Sequence, residues 1–172
     1  MCDEGKSQTQ LGKDSPQDCT PCSKGRVGNL NRTECIDCDA GRYNTIDGAL
    51  KCEECVDGQY QSEQGKTSCI KCGVGKFGWS GSIKTGNNSI ACKNCPPGKI
   101  VKAENLGATT CDTCAAGRYA NAAHDRCLFC AAKTYSTYEG RDSLNNTGVN
   151  KENCDFCNST QYSITNRTKC SR

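Results

Sequence analysis

The sequence predicts a small disulfide-rich fold, mostly irregular with short β-hairpins, drawn out as an elongated tandem-repeat rod. Three observations lead there. Leu, Ile, Val and Phe make up 21 of 172 residues, about 12%, below the roughly 20% that marks a chain able to fold around aliphatic side chains. Cysteine supplies 18 of the same 172, the density of a secreted disulfide scaffold. All of these cysteines fall into one recurring pattern, so covalent closure takes the place of burial as the source of order.

The pattern is plainest in CDAGRYNTIDGALKCEECVDGQYQSEQGKTSCIKC, from Cys38 to Cys72, where the unit C-x-x-G-[Lys/Arg/Gln]-[aromatic] occurs twice in succession. In that register residues 1–172 form one continuous array of nine cysteine-rich units: Cys2–Cys19, Cys22–Cys35, Cys38–Cys52, Cys55–Cys69, Cys72–Cys92, Cys95–Cys111, Cys114–Cys127, Cys130–Cys154 and Cys157–Cys170. The array is expected to be a segment of a longer chain. Units differ in length, and the longest, the fifth and the eighth, hold GWSGSIKTGNNSIA and STYEGRDSLNNTGVNKEN. A fixed frame with elastic loops is how repeat arrays accept insertions.

Each slot has a physical reason. The third residue after the opening cysteine is glycine in the first seven units, Gly5 through Gly117, and departs to Lys133 and Thr160 in the last two. Glycine tolerates positive φ, so C-x-x-G reads as a tight turn. Two places on stand Ser7, Val27, Tyr43, Tyr60, Phe77, Ile100, Tyr119, Tyr135 and Tyr162. A ring or branched side chain there sits in a short extended segment and lies across a neighbouring disulfide, supplying most of a unit's small core. Asp47-Gly48, Glu63-Gln64-Gly65 and Asn105-Leu106-Gly107 mark a second turn in the middle of their units. No helix of useful length is expected, and each unit should touch its nearest neighbours alone.

Charge and hydropathy exclude several classes. The net charge of +3 arises from 22 basic and 19 acidic residues that are interspersed, a solvated surface with no nucleic-acid footprint. No apolar run is long enough to span a membrane in this segment. MCDEGKSQTQ has neither the basic nor the apolar region of a secretory signal, so a secreted protein would contain this chain as a mature or internal segment. NRTKCSR carries no hydrophobic tail, which places any anchor elsewhere.

Zinc competes with disulfides for the cysteines, because repeated C-x-x-C overlaps four-cysteine ligand spacing. Disulfides are favoured. The residues around each C-x-x-C repeat with it, which a metal site does not require, and zinc would leave Cys2 and Cys170 over. Five glycosylation sequons, at Asn31, Asn87, Asn145, Asn158 and Asn166, exceed the two or so expected by chance and belong to an oxidising, extracellular context. Of these Asn87 and Asn145, in the longest loops, are the most accessible, and Asn158 beside Cys157 the most crowded. Redox catalysis lacks a βαβ setting for its thiol. His124, in the polar loop ANAAHDR, reads as solvated, and no carboxylate pair, triad or phosphate loop stands out. The expectation is no enzyme, no cofactor and no metal. Pairing each opening cysteine with its own unit's close uses all eighteen and is favoured by parity; a crossed pattern, Cys19 with Cys35 and Cys22 with Cys38, stays open and strands Cys2 and Cys170.

CPPGKI at Cys95, CAAGRY at Cys114 and CVDGQYQSEQGKTSCIKC from Cys55 to Cys72 resemble the ephrin-receptor-like cysteine-rich repeat, with broader kinship to tumour-necrosis-factor-receptor modules and to cysteine-rich surface proteins of protists. The resemblance covers essentially the whole chain, the last two units lacking the glycine. It implies a loop that closes on itself, hence local pairing, and stacking into rods on cell exteriors. It implies no particular ligand, since the motif occurs in receptors, coats and filaments alike.

The leading expectation is therefore an extracellular structural glycoprotein, an element of a cell-surface coat or of a filament such as a flagellar hair. Its partners would be N-linked glycans and either other copies of itself or neighbouring structural glycoproteins. The alternative is a receptor-type ectodomain fragment that binds a protein or an acidic polysaccharide. That reading rests on a basic stripe of Lys6, Arg26, Arg42, Lys76, Lys99 and Arg118, which the plainer view treats as solvated hairpin charges near Asp39, Asp57 and Glu54. Trp79, alone in a glycine-rich loop, reads equally as a stacked ring or a sugar platform.

Overall fold

The computed structural model describes residues 2–8, 18–79, 84, 91–137, 139, 141–142 and 154–171. They form nine small sheets, eight of two strands and one of three, and a short helical turn at Ala103–Asn105. The chain divides into two compact lobes, Met1–Lys71 with Ser80–Ala91, and Cys72–Trp79 with Cys92–Arg172.

Nine disulfides join Cys2 to Cys19, Cys22 to Cys35, Cys38 to Cys52, Cys55 to Cys69, Cys72 to Cys92, Cys95 to Cys111, Cys114 to Cys127, Cys130 to Cys154 and Cys157 to Cys170. Every bridge closes within its own unit. Sequence separations run from 13 to 24, so in the chain-entropy account each removes about 3 kcal/mol of unfolded-state freedom.

Each unit is a hairpin tied at its neck. After the opening cysteine the chain turns, with Arg26 N–H donating to Ser23 O at 3.0 Å and Arg118 N–H to Ala115 O at 3.1 Å. The glycine of the slot takes the left-handed φ this turn needs, as at Gly25 with φ 80°. Lys133 fills the slot in the eighth unit with φ 63° and keeps the same turn, a departure in residue type that the backbone absorbs. The returning strand then pairs antiparallel, for example Arg26 to Gly28 against Asp37 to Cys35. A parallel strand, Arg141–Asp142, joins the hairpin of the seventh unit.

The core is made of opening cysteines: Cys22, Cys72 and Cys114 are fully buried, and Cys38 and Cys55 nearly so. The residue two places after the slot glycine packs on the disulfide of the following unit. Ser7 Oγ lies 2.9 Å from Cys35 Sγ, Ile100 packs with Cys114 and Cys127, and Tyr119 with Cys130 and Cys154. Rings do not supply most of the core, however. Tyr43, Phe77 and Tyr135 are half-buried and Tyr162 is 57% exposed. The next residue is the deeper one: Asn44, Gln61, Val101, Ala120 and Ser136 are all buried.

That deeper residue carries the stacking. Gly25 N–H donates to Asn44 O at 3.0 Å, and Asn44 N–H donates to Lys66 O at 3.2 Å, which ties the second, third and fourth units together. Gly75 to Val101 O and Val101 to His124 O, both at 2.9 Å, do the same for the fifth, sixth and seventh, and Gly117 to Ser136 O and Ser136 to Arg167 O for the seventh, eighth and ninth. The expectation of contact between nearest neighbours alone is thereby corrected. A unit also touches the next but one, so closely that a Cβ on Gly25 would collide with the carbonyl of Gly65, and one on Gly117 with that of Asn166. Polar groups at these buried positions are satisfied locally, Asn44 Nδ2 donating to Arg26 O at 3.0 Å and Gln61 Nε2 to Ser68 O at 2.9 Å.

Candidate functional site

Five of the six charges of the proposed stripe, all but Lys99, are engaged inside their own hairpins. Strand register sets Arg26 opposite Asp37 and Arg42 opposite Glu54, and the ion pairs follow at 2.8 and 2.7 Å. Lys6 meets Asp3 at 3.3 Å, Lys76 Nζ donates to Asn94 Oδ1 at 2.6 Å, and Arg118 lies over the ring of Phe129 with its guanidinium carbon 4.0 Å from the centroid. Of the acids expected beside the stripe only Glu54 takes that part. Asp57 pairs with Lys84 at 3.1 Å, and Asp39 accepts from Gln64.

His124 is buried and not solvated. It stands at φ 52° in the mid-unit turn of the seventh unit, its Nδ1 is 2.9 Å from the carbonyl oxygen of Lys99, and its own carbonyl accepts from Val101. It joins two units. Trp79 is half-buried, tilted against Phe77 at 6.3 Å between centroids, with the ammonium of Lys93 3.8 Å from its own centroid. The indole face is thus occupied by a cation.

Asn31, Asn158 and Asn166 are exposed; the position beside Cys157 does not bury Asn158. Asn87 and Asn145 lie outside the described residues. Asn31-Arg32-Thr33 and Asn166-Arg167-Thr168 share a sequence and a geometry that sequence reasoning passed over. In both the arginine is left-handed at φ 58°, and its Nη1 donates to the carbonyl of the preceding unit's opening cysteine, Cys2 at 2.7 Å and Cys130 at 2.8 Å. The recurrence of NRT three residues before a closing cysteine was the available signal.

Described residues line at least two depressions. One of about 380 Å³ lies over the loop from Asn105 to Thr110, with Val101 and Asp112 completing its lining. The other, of about 600 Å³, lies between the seventh and ninth units, with Arg118 and Phe129 on one side and Ile164, Asn166 and Thr168 on the other. Among the described residues no group of His, Cys, Asp or Glu is placed to hold a metal ion, and no helix is long and apolar enough to cross a membrane.

Residues 47–82 match the family model described as tyrosine-protein kinase ephrin type A/B receptor-like. The match runs from the mid-unit turn of the third unit through the whole of the fourth and into the fifth. A comparison with curated proteins returned no match. Residues 47–82 are thus similar to the ephrin-receptor-like module, a non-catalytic type, and they lie within a cysteine-rich repeat array of nine self-closed disulfides; disulfide density and that similarity point to an extracellular receptor-like or structural setting.

Proposed function

We propose that the chain is an extracellular structural glycoprotein, a disulfide-stapled element of a cell-surface coat or filament. The observation that carries this reading is the docking of successive units through backbone groups, glycine N–H to buried carbonyl and so on to the unit beyond. Such docking uses backbone groups, which every loop sequence supplies, and the glycine that recurs in the repeats serves to hold neighbouring units. Exposed apolar side chains directly after closing cysteines, Ile36, Ile70 and Leu128, provide surface for association with further copies or with neighbouring glycoproteins. Against polysaccharide binding stand the short ion pairs of Arg26 and Arg42.

Intact mass without reductant, before and after N-glycan removal, tests the reading. The expected result is a mass 18 hydrogens below the fully reduced value, with sugar attached and with association that grows with concentration. Free thiols that take up zinc, with no glycan, would overturn it. Retention on a sulfated-sugar column through physiological salt would turn the reading towards a receptor-type module.

A further inference from the structure

We infer that the depression between the seventh and ninth units seats the first sugar of an N-glycan on Asn166, so that the modification closes the ninth hairpin onto the seventh. The inference rests on the glycoprotein reading above. Asn166 is both the sequon residue and part of the lining, so the sugar is tethered where it would bind and needs no affinity of its own to arrive. The side-chain oxygen is already engaged, accepting from Thr168 Oγ1 at 2.9 Å and Thr168 N–H at 3.4 Å. That leaves the amide nitrogen, the atom that takes the sugar, with no partner among the described residues. Across the depression Phe129 is 52% exposed, and Arg118 lies over the ring at 4.0 Å. An N-acetylhexosamine offers C–H groups to the part of the ring that Arg118 leaves exposed and hydroxyl and carbonyl acceptors to the guanidinium, which is the mixture this lining asks for.

The chemistry is ordinary secretory transfer. Asn166 Nδ2 forms a bond to C1 of the reducing-end sugar, the bond from C1 to the pyrophosphate of a lipid-linked oligosaccharide donor breaks, the lipid pyrophosphate leaves, and Nδ2 gives up one proton.

Asn31 is the internal control. It has the same NRT sequence, the same arginine φ of 58° and the same arginine clip. What differs is its surroundings: Asn166 O rests on Gly117, two units back, and Asn166 lines the depression, whereas Asn31 is not part of that lining and Thr33 N–H donates to Asn29 Oδ1 instead of to the sequon asparagine.

The test uses the full chain secreted from cells that add N-glycans, with the variants Asn166→Gln, Thr168→Ala, Phe129→Ala and Asn31→Gln. Peptide mapping gives occupancy, and hydrogen exchange reads the hairpin of residues 157–170. Losing the sugar through either Asn166→Gln or Thr168→Ala should speed exchange there by about tenfold, trimming the glycan to one sugar should not, and Phe129→Ala should abolish the gain from the sugar. Asn31→Gln should leave the hairpin of residues 22–35 unchanged. An occupied Asn166 whose removal leaves exchange in 157–170 unaltered overturns the seat. So does an empty Asn166 beside occupied sequons elsewhere, with the glycoprotein reading intact. Sugar at none of the five sequons overturns both.

Discussion

The second and third units do the same work by different means. Both grip the carbonyl of the preceding unit's opening cysteine. The third unit, closed over 14 residues, uses the backbone N–H of Gly48, which donates to Cys22 O at 2.7 Å; Gly65 and Gly107 do likewise to Cys38 and Cys72 at 2.8 and 2.9 Å. The second unit, closed over 13, cannot, because Arg32 N–H is already spent inside its own turn on Asn29 O at 2.9 Å. The guanidinium reaches Cys2 O instead. The seventh and ninth units are also closed over 13 residues, their turn N–H groups are likewise used locally, and His124 and Arg167 supply a side chain. One residue of loop length thus decides whether the stack is held by backbone or by side chain. At these positions a non-glycine residue takes the left-handed φ that Gly48, Gly65 and Gly107 take in the longer units, and bears its strain.

The largest break in this comparison should come where two turns meet. Gly25→Ala puts a Cβ against the Gly65 carbonyl at φ 80° and should cost about 3 kcal/mol or more. Gly48→Ala meets Pro21 Cβ at 3.4 Å and Gly5 O at 3.8 Å, both ordinary contacts, and should cost about 1–2 kcal/mol, the left-handed strain alone. Denaturant midpoints of the pair measure the difference, and equal costs would remove the close approach from the account. Next come the clips. Arg32→Ala and Arg167→Ala each leave a cysteine carbonyl unpaired and should cost about 1–2 kcal/mol, whereas Arg32→Gly relieves the φ of 58° and should recover about 0.5–1 kcal/mol of that. Exchange at the hairpin of residues 22–35 reads both variants; an Ala variant as stable as the parent would deprive the guanidinium of its role.

A smaller effect sharpens the seventh unit. Asn tolerates the left-handed region that His124 occupies, so His124→Asn keeps the turn and should lose the link to Lys99, at a cost of about 0.5–1.5 kcal/mol in thermal unfolding. A larger loss would show that the imidazole also packs. Smallest of all is Arg42→Gln, which removes a pair whose side chains are 50% and 67% exposed. It should move the midpoint by less than about 0.5 kcal/mol, and less still in high salt.

Much of this was legible beforehand. The turn at each C-x-x-G and the mid-unit turns at Gly48, Gly65 and Gly107 follow from local chemistry, since φ preference is a property of the residue itself. Packing of Ile100 and Tyr119 on the next disulfide was readable too, because a strand of two or three residues leaves one face for one side chain. His124 was misread because a polar loop around a histidine says nothing about which carbonyl lies beyond it. The Arg32 and Arg167 clips went unseen for the same reason, although their shared NRT was visible.

What the sequence by itself determined is the unit: where it opens, turns, returns and closes. Those are short-range matters, settled within some 20 residues by cysteine spacing, glycine and strand alternation. What only the tertiary structure decided is how one unit holds the next. The burial of Asn44, Gln61, Val101 and Ser136, the contact of the first, second, fifth and seventh units with the next but one, and the division of labour between glycine N–H and arginine guanidinium are distances between loops. Sequence periodicity carries no distances. A backbone N–H is available to a neighbour only if its own turn has not already used it, and that becomes visible once the turns are folded.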